Sequence, residues 1–129
     1  MIMKHILIVF CLIFSAISMA DDSTFSEWMP IDGLKSYIEI NKSVKFPDGK
    51  YMIYAIQGRY RQGKNEYRVV LAHKKDDVSR WWWWYSQDID SFTAKVAEYE
   101  NKGAILYWAQ SFTGHSGNIY YQAVWVDYK

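Results

Sequence analysis

Two stretches of the chain, residues 49–72 (GKYMIYAIQGRYRQGKNEYRVVLA) and residues 103–126 (GAILYWAQSFTGHSGNIYYQAVWV), superimpose without a gap at a spacing of 54 residues. Gly49 falls on Gly103, Ala55 on Ala109, Gly63 on Gly117, Tyr67 on Tyr121 and Val70 on Val124; carried backward, the same spacing sets Trp28 on Trp82. The identities are few, but they fall at a helix stop, two strands, a hairpin turn and a strand-leading aromatic, the positions that define a repeated supersecondary unit. The chain therefore reads as two units, about 28–74 and 82–128. Each is a strand, a helix and two more strands: an α+β fold of two tandem repeats forming a mainly antiparallel sheet with helices on one face.

The second unit is the clearer one. Ile89, Phe92, Val96 and Tyr99 recur at helical spacing, Asp88 and Asp90 place negative charge at the helix start, and Lys102-Gly103 supplies a stop. Two β-rich runs follow, AILYWAQSF and IYYQAVWVDY, separated by Thr113 to Asn118, a glycine-containing hairpin connection. In the first unit the hairpin has RYRQGK at its tip, and a helix around residues 34–44 ends at Pro47-Asp48-Gly49. The polar run HKKDDVSR joins the units.

Residues 1–20 read as a signal peptide: Lys4, an apolar run from Ile6 to Ile17, and Ser18-Met19-Ala20 before an expected cleavage at Asp21. An uncleaved anchor is the alternative, although the apolar run is shorter than the roughly 20 residues a spanning helix needs. Residues 21–129 then form a single domain, and its location is periplasmic or secreted. The only cysteine, Cys11, lies in the leader, so the mature chain has no disulfide to offset a small core. Aromatic residues, 19% of the chain, supply that core instead, because each buries a large apolar surface. Of 15 lysines and arginines against 14 acids, one cation is Lys4 in the leader. The mature chain thus has no net formal charge, which argues against nucleic acid or a membrane surface as partner.

The run SRWWWWYSQDIDSFTAKVAEYENKGAILYWAQSFTGHSGNIYYQAVWVDY resembles the bacterial tandem repeat domain of exported bacterial proteins, as in the N-terminal part of polyglycine hydrolases. The matching features are the aromatic strand, a helix carrying Phe92, Gly103 before a strand, a glycine-containing hairpin and the closing Tyr121 to Trp125. The resemblance covers about 50 residues and implies fold rather than activity. It brings no catalytic residues with it.

Four consecutive tryptophans cannot share a surface if they form a strand. Trp81, Trp83 and Tyr85 point to one face, Trp82 and Trp84 to the other. Since Trp82 matches Trp28, the Trp82 and Trp84 face is assigned to the core beneath the helices. The Trp81, Trp83 and Tyr85 face is either an open aromatic platform or is covered by the two units and another chain. An open face would take a protein partner, a second copy of the chain or a glycan.

Signals for catalysis are thin. TGHSGN nearly spells a nucleophile elbow, but Asn118 stands where a glycine is required and the segment reads as a hairpin tip. His73 and His115 lack metal-site spacing, and Asp76-Asp77 and Asp88/Asp90 are explained by a solvated loop and a helix start. No metal, cofactor or catalytic residue is therefore expected. The basic tip, Arg59, Tyr60, Arg61 and Lys64, suits an acidic protein cleft or an anionic glycan, with a solubilising turn as the plain alternative. These features favour a non-catalytic protein-binding domain whose partner is another exported protein, in the manner of an immunity or inhibitor protein against a cell-envelope hydrolase or toxin. The candidate binding residues are Trp81, Trp83, Tyr85, Arg59, Tyr60, Arg61, Lys64 and His115. A cell-wall or glycan-binding module is the second reading and a small hydrolase the third.

Overall fold

The computed structural model describes residues 25–129. The expected leader lies outside the described residues. Helix α1 (Ile31–Lys45) precedes a hairpin of β1 (Tyr51–Arg61) and β2 (Lys64–His73). Strand β3 (Val78–Gln87) then leads into α2 (Ile89–Asn101) and a second hairpin of β4 (Ile105–Thr113) and β5 (Ile119–Tyr128). The fold is α+β and antiparallel throughout, but the strands form two sheets, β1-β2 and β3-β5-β4, where the sequence led us to expect one. The first unit's leading strand has shrunk to a single bridge, Met29 to Tyr67, so its sheet keeps only the hairpin. Among the described residues no helix is long and apolar enough to cross a membrane.

The two hairpins correspond pair for pair. Ala55↔Val70, Ile56↔Val69, Gln57↔Arg68 and Gly58↔Tyr67 in the first match Trp108↔Val124, Ala109↔Ala123, Gln110↔Gln122 and Ser111↔Tyr121 in the second. Each has a bulge at a tyrosine, Tyr54 and Tyr107, and these two rings meet edge to face at 6.0 Å. Burial pushes both phenols above their ordinary pKa. Hence the spacing of 54 residues holds for β2 and β5, while β1 and β4 correspond one residue closer, and Ala55 matches Trp108 rather than Ala109. Met29, paired with Tyr67, likewise matches Gln87, paired with Tyr121. Trp28 therefore does not occupy the place of Trp82.

Helix α2 forms where the apolar spacing put it, burying Phe92, Val96 and Tyr99. Its start is set by Asp88, whose carboxylate accepts from the Ser91 backbone N–H at 2.7 Å. That bond holds the Asp88 carboxyl below its ordinary pKa. A depressed folded-state pKa stabilises above the unfolded value and the benefit disappears as pH falls through the folded value. Asp88→Ala is therefore expected to lower the thermal midpoint by a few degrees at neutral pH and to match the parent near pH 2, read by circular dichroism melts at both values.

Two apolar clusters divide the interior. One is confined to the second unit: Phe92, Val96, Tyr99 and Ala104 with Ala109, Ala123 and Trp125. The other is shared, with Leu34, Ile38, Met52, Ile53, Ile56 and Val69 of the first unit packing on Trp108, Val124 and Val126 of the second. Alternation along β5 explains the split, since Ala123 and Trp125 face α2 while Val124 and Val126 face the first unit. A closed polar circuit crosses the same interface. Gln110 brackets Gly58, accepting from its N–H at 3.0 Å and donating to its carbonyl at 2.9 Å. Fully buried Gln122 donates to Gln110 Oε1 at 3.0 Å and accepts from the Ser86 N–H at 2.7 Å. Ser86 Oγ bonds the Tyr67 hydroxyl, and Tyr67 sits opposite Gly58 in the first hairpin. Satisfied side-chain networks of this kind fix one docking geometry where apolar contact alone would tolerate several.

Candidate binding surface at the joined hairpin tips

The tetrad alternates as expected, with an outcome that its composition did not disclose. Trp81, Trp83 and Tyr85 pack half-buried against the shared cluster. Trp81 meets Tyr51 at 5.6 Å, Tyr85 meets Tyr67 at 5.6 Å, and Lys35 of α1 lies 5.2 Å from the Tyr85 ring. This row is therefore not an open platform, because the first unit covers it. On the other face Trp82 stacks on Tyr99 at 4.9 Å, beneath α2 as expected. Trp84 departs from the expectation of a core position: it is the most exposed of the four, at 36%. Strand β3 is a sheet edge, so α2 covers only part of that row. The Trp84 indole N–H donates to the Tyr99 hydroxyl at 2.7 Å and Lys95 Nζ sits 4.0 Å from its ring.

The two hairpin tips, which the sequence treats as separate, lie side by side. The first is a two-residue turn in which Gln62 (φ 52°) and Gly63 (φ 79°) both take left-handed geometry, the arrangement that matches the twist of paired strands. Arg61 and Lys64 flank it and are exposed, with no ion-pair partner among the described residues. Tyr60, just behind, is 38% exposed and its hydroxyl lies 3.2 Å from His115 Nδ1 of the second tip. The second tip contains a single helical turn, His115–Gly117, in which Ser116 has φ 60°. Gly114 has no room for a side chain: a Cβ there would stand 2.6 Å from Tyr120 of its own hairpin, and it would just touch Asn65 Oδ1 of the first at 3.4 Å.

Arg59 belongs to the architecture more than to the tip. Its Nε donates to Glu66 at 2.8 Å and its guanidinium lies 4.2 Å from the Trp28 ring, whose neighbour Arg68 stands at 4.6 Å. Arg59 thus stiffens the stem behind Arg61. The composite end of the molecule presents Tyr60, Arg61, Lys64 and His115 together. Sequence reasoning named these residues, yet the contact between Tyr60 and His115 joins positions 55 residues apart and had no local signal. Ser116 occupies the turn of a hairpin, with no strand-to-helix elbow around it, and no group of three or more His, Cys, Asp or Glu side chains gathers among the described residues. No family model, curated protein or solved structure matches this chain.

Proposed function

We propose that this chain is an exported, non-catalytic protein-binding domain that inserts its joined hairpin tips into an acidic cleft of another exported protein, as an inhibitor or immunity protein does. The observation that carries this reading is the contact between Tyr60 and His115, which makes one composite surface of two otherwise independent loops. Preorganised tips lose little conformational freedom on docking, and arginine and tyrosine are the residues in which binding energy concentrates. The uncompensated charges of Arg61 and Lys64 on a chain near neutrality form a local positive pole, which steers association toward acidic surfaces. The strand, helix and hairpin order of the second unit supports relating the chain to the bacterial tandem repeat domains, whose settings are exported proteins.

The test is a binding measurement against individually purified exported hydrolases and toxins of the native host, using the parent, the Arg61→Glu/Lys64→Glu variant and a distant control, Lys45→Glu. Tip reversal is expected to weaken binding by about tenfold or more, mainly through a slower association rate whose salt dependence falls, while the control binds as the parent does. A partner that tolerates tip reversal would remove the tips from the interface.

A further inference from the structure

A shallow depression lies at the end of the molecule away from the tips. Strand β1 runs from Tyr51 at this end to Arg61 at the other, a span of about 30 Å at the usual rise of an extended strand. The depression is open, with a volume of about 440 Å³, and Tyr51, Lys74, Ser79, Arg80, Trp81 and Trp82 line it. Tyr51 and Trp81 meet edge to face at 5.6 Å, so each ring covers part of the other and only the remaining parts of these half-buried rings face outward.

Lys74 and Ser79 line the depression with Arg80, but Arg80, next to Trp81 in β3, turns toward the Trp82 face, its guanidinium 5.2 Å from that ring. Lys74 Nζ gives one hydrogen to the Val78 carbonyl at 2.6 Å and retains two. Arg80 directs Nε and one terminal nitrogen to Asp127, at 3.0 and 2.7 Å, and that same nitrogen also reaches the Lys102 carbonyl at 3.1 Å. Ser79, the preceding residue, is exposed. Asp127 balances the Arg80 charge, whereas Lys74 has no ion-pair partner among the described residues. The depression therefore combines two half-buried aromatic rings, an exposed hydroxyl and one lysine charge without an ion-pair partner among the described residues.

We propose that this crevice binds a saccharide bearing a carboxylate. Aromatic faces carry negative charge density that attracts the weakly positive C–H face of a sugar ring. A ring hydroxyl can accept from Ser79, and a carboxylate answers the charge of Lys74. The protein-binding reading does not require this site, and the two ends can engage different ligands.

The test titrates the folded mature protein with a glucuronic-acid-containing disaccharide and, separately, with its neutral glucose counterpart, followed by tryptophan fluorescence and by amide shifts in nuclear magnetic resonance. The acidic sugar is expected to saturate, with shifts centred on Tyr51, Lys74 and Ser79, and the neutral sugar to bind about tenfold more weakly, the loss of one charge-assisted contact. Lys74→Gln should reduce the affinity of the acidic sugar to that of the neutral one, and Trp81→Phe should weaken both, with a parent-like circular dichroism spectrum and a cooperative melt showing that each variant is folded at the titration temperature. Arg61→Glu/Lys64→Glu should leave sugar binding as it was, so a failed tip and a failed crevice are told apart. No saturation, equal affinity for the two sugars, or indifference to Lys74→Gln would each overturn the proposal.

Discussion

Trp108→Ala is expected to destabilise the protein by about 3–5 kcal/mol, a large share of the 5–15 kcal/mol that holds a domain of this size together. Trp108 is 1% exposed and sits in the cluster shared by the two units. Its removal opens a cavity between both sheets and not beneath one of them. Its indole N–H also donates to the Ile56 carbonyl at 2.7 Å, on the edge of β1 that faces away from β2, so truncation leaves that carbonyl without its partner. Trp108→Phe separates the two contributions, keeping most of the packing while losing the donor, and should cost about 1–3 kcal/mol. Urea unfolding followed by circular dichroism measures both. A loss below about 1 kcal/mol for the alanine variant would mean that the units do not depend on this contact.

Gly58→Ala tests the same interface from the other side. A Cβ at Gly58 would stand 2.4 and 2.7 Å from the Phe112 ring and 3.0 Å from that of Tyr67. Because Gly58 is also held by both hydrogen bonds of the Gln110 amide, β1 cannot slide to make room without breaking the polar circuit. Overpacking of this kind costs about 1–3 kcal/mol. The added methyl clashes mainly with one ring, so Phe112→Leu in the same chain should recover part of the loss, giving a coupling of about 1 kcal/mol in a double-mutant cycle. Strict additivity would show that Gly58 matters for its backbone and not for the close approach.

How much of this could be read beforehand depended on whether the signal was local. Helix α2 was legible because its apolar spacing, its Asp88 cap and its stop all agree, and the hairpins were legible from their turn residues. The alternation of the tetrad was legible as well, since successive side chains of a strand must diverge. What covered each face was not, because Tyr51, Tyr67 and Lys35 reach Trp81 and Tyr85 only through the docking of two units. The repeat was recognised at a single spacing that is true for β2 and β5 alone. Helix α1 has 15 residues against 13 in α2, and the second hairpin connection is longer than the first, so insertions of different sizes fall within one unit and misplace Trp28. Of the candidate site, the charged tip residues were visible in the sequence. The meeting of Tyr60 with His115 was hidden, as was the use of Arg59 as a brace, since both are properties of tertiary structure.

Strand β5 occupies the middle of its sheet and contributes Val124 and Val126 to the first unit's interior as well as Ala123 and Trp125 to the second's. The first unit therefore lacks, by itself, part of the apolar surface that closes its interior. The strand is a keystone: because one element completes two interiors, neither can loosen alone, and opening the seam at β5 exposes both at once.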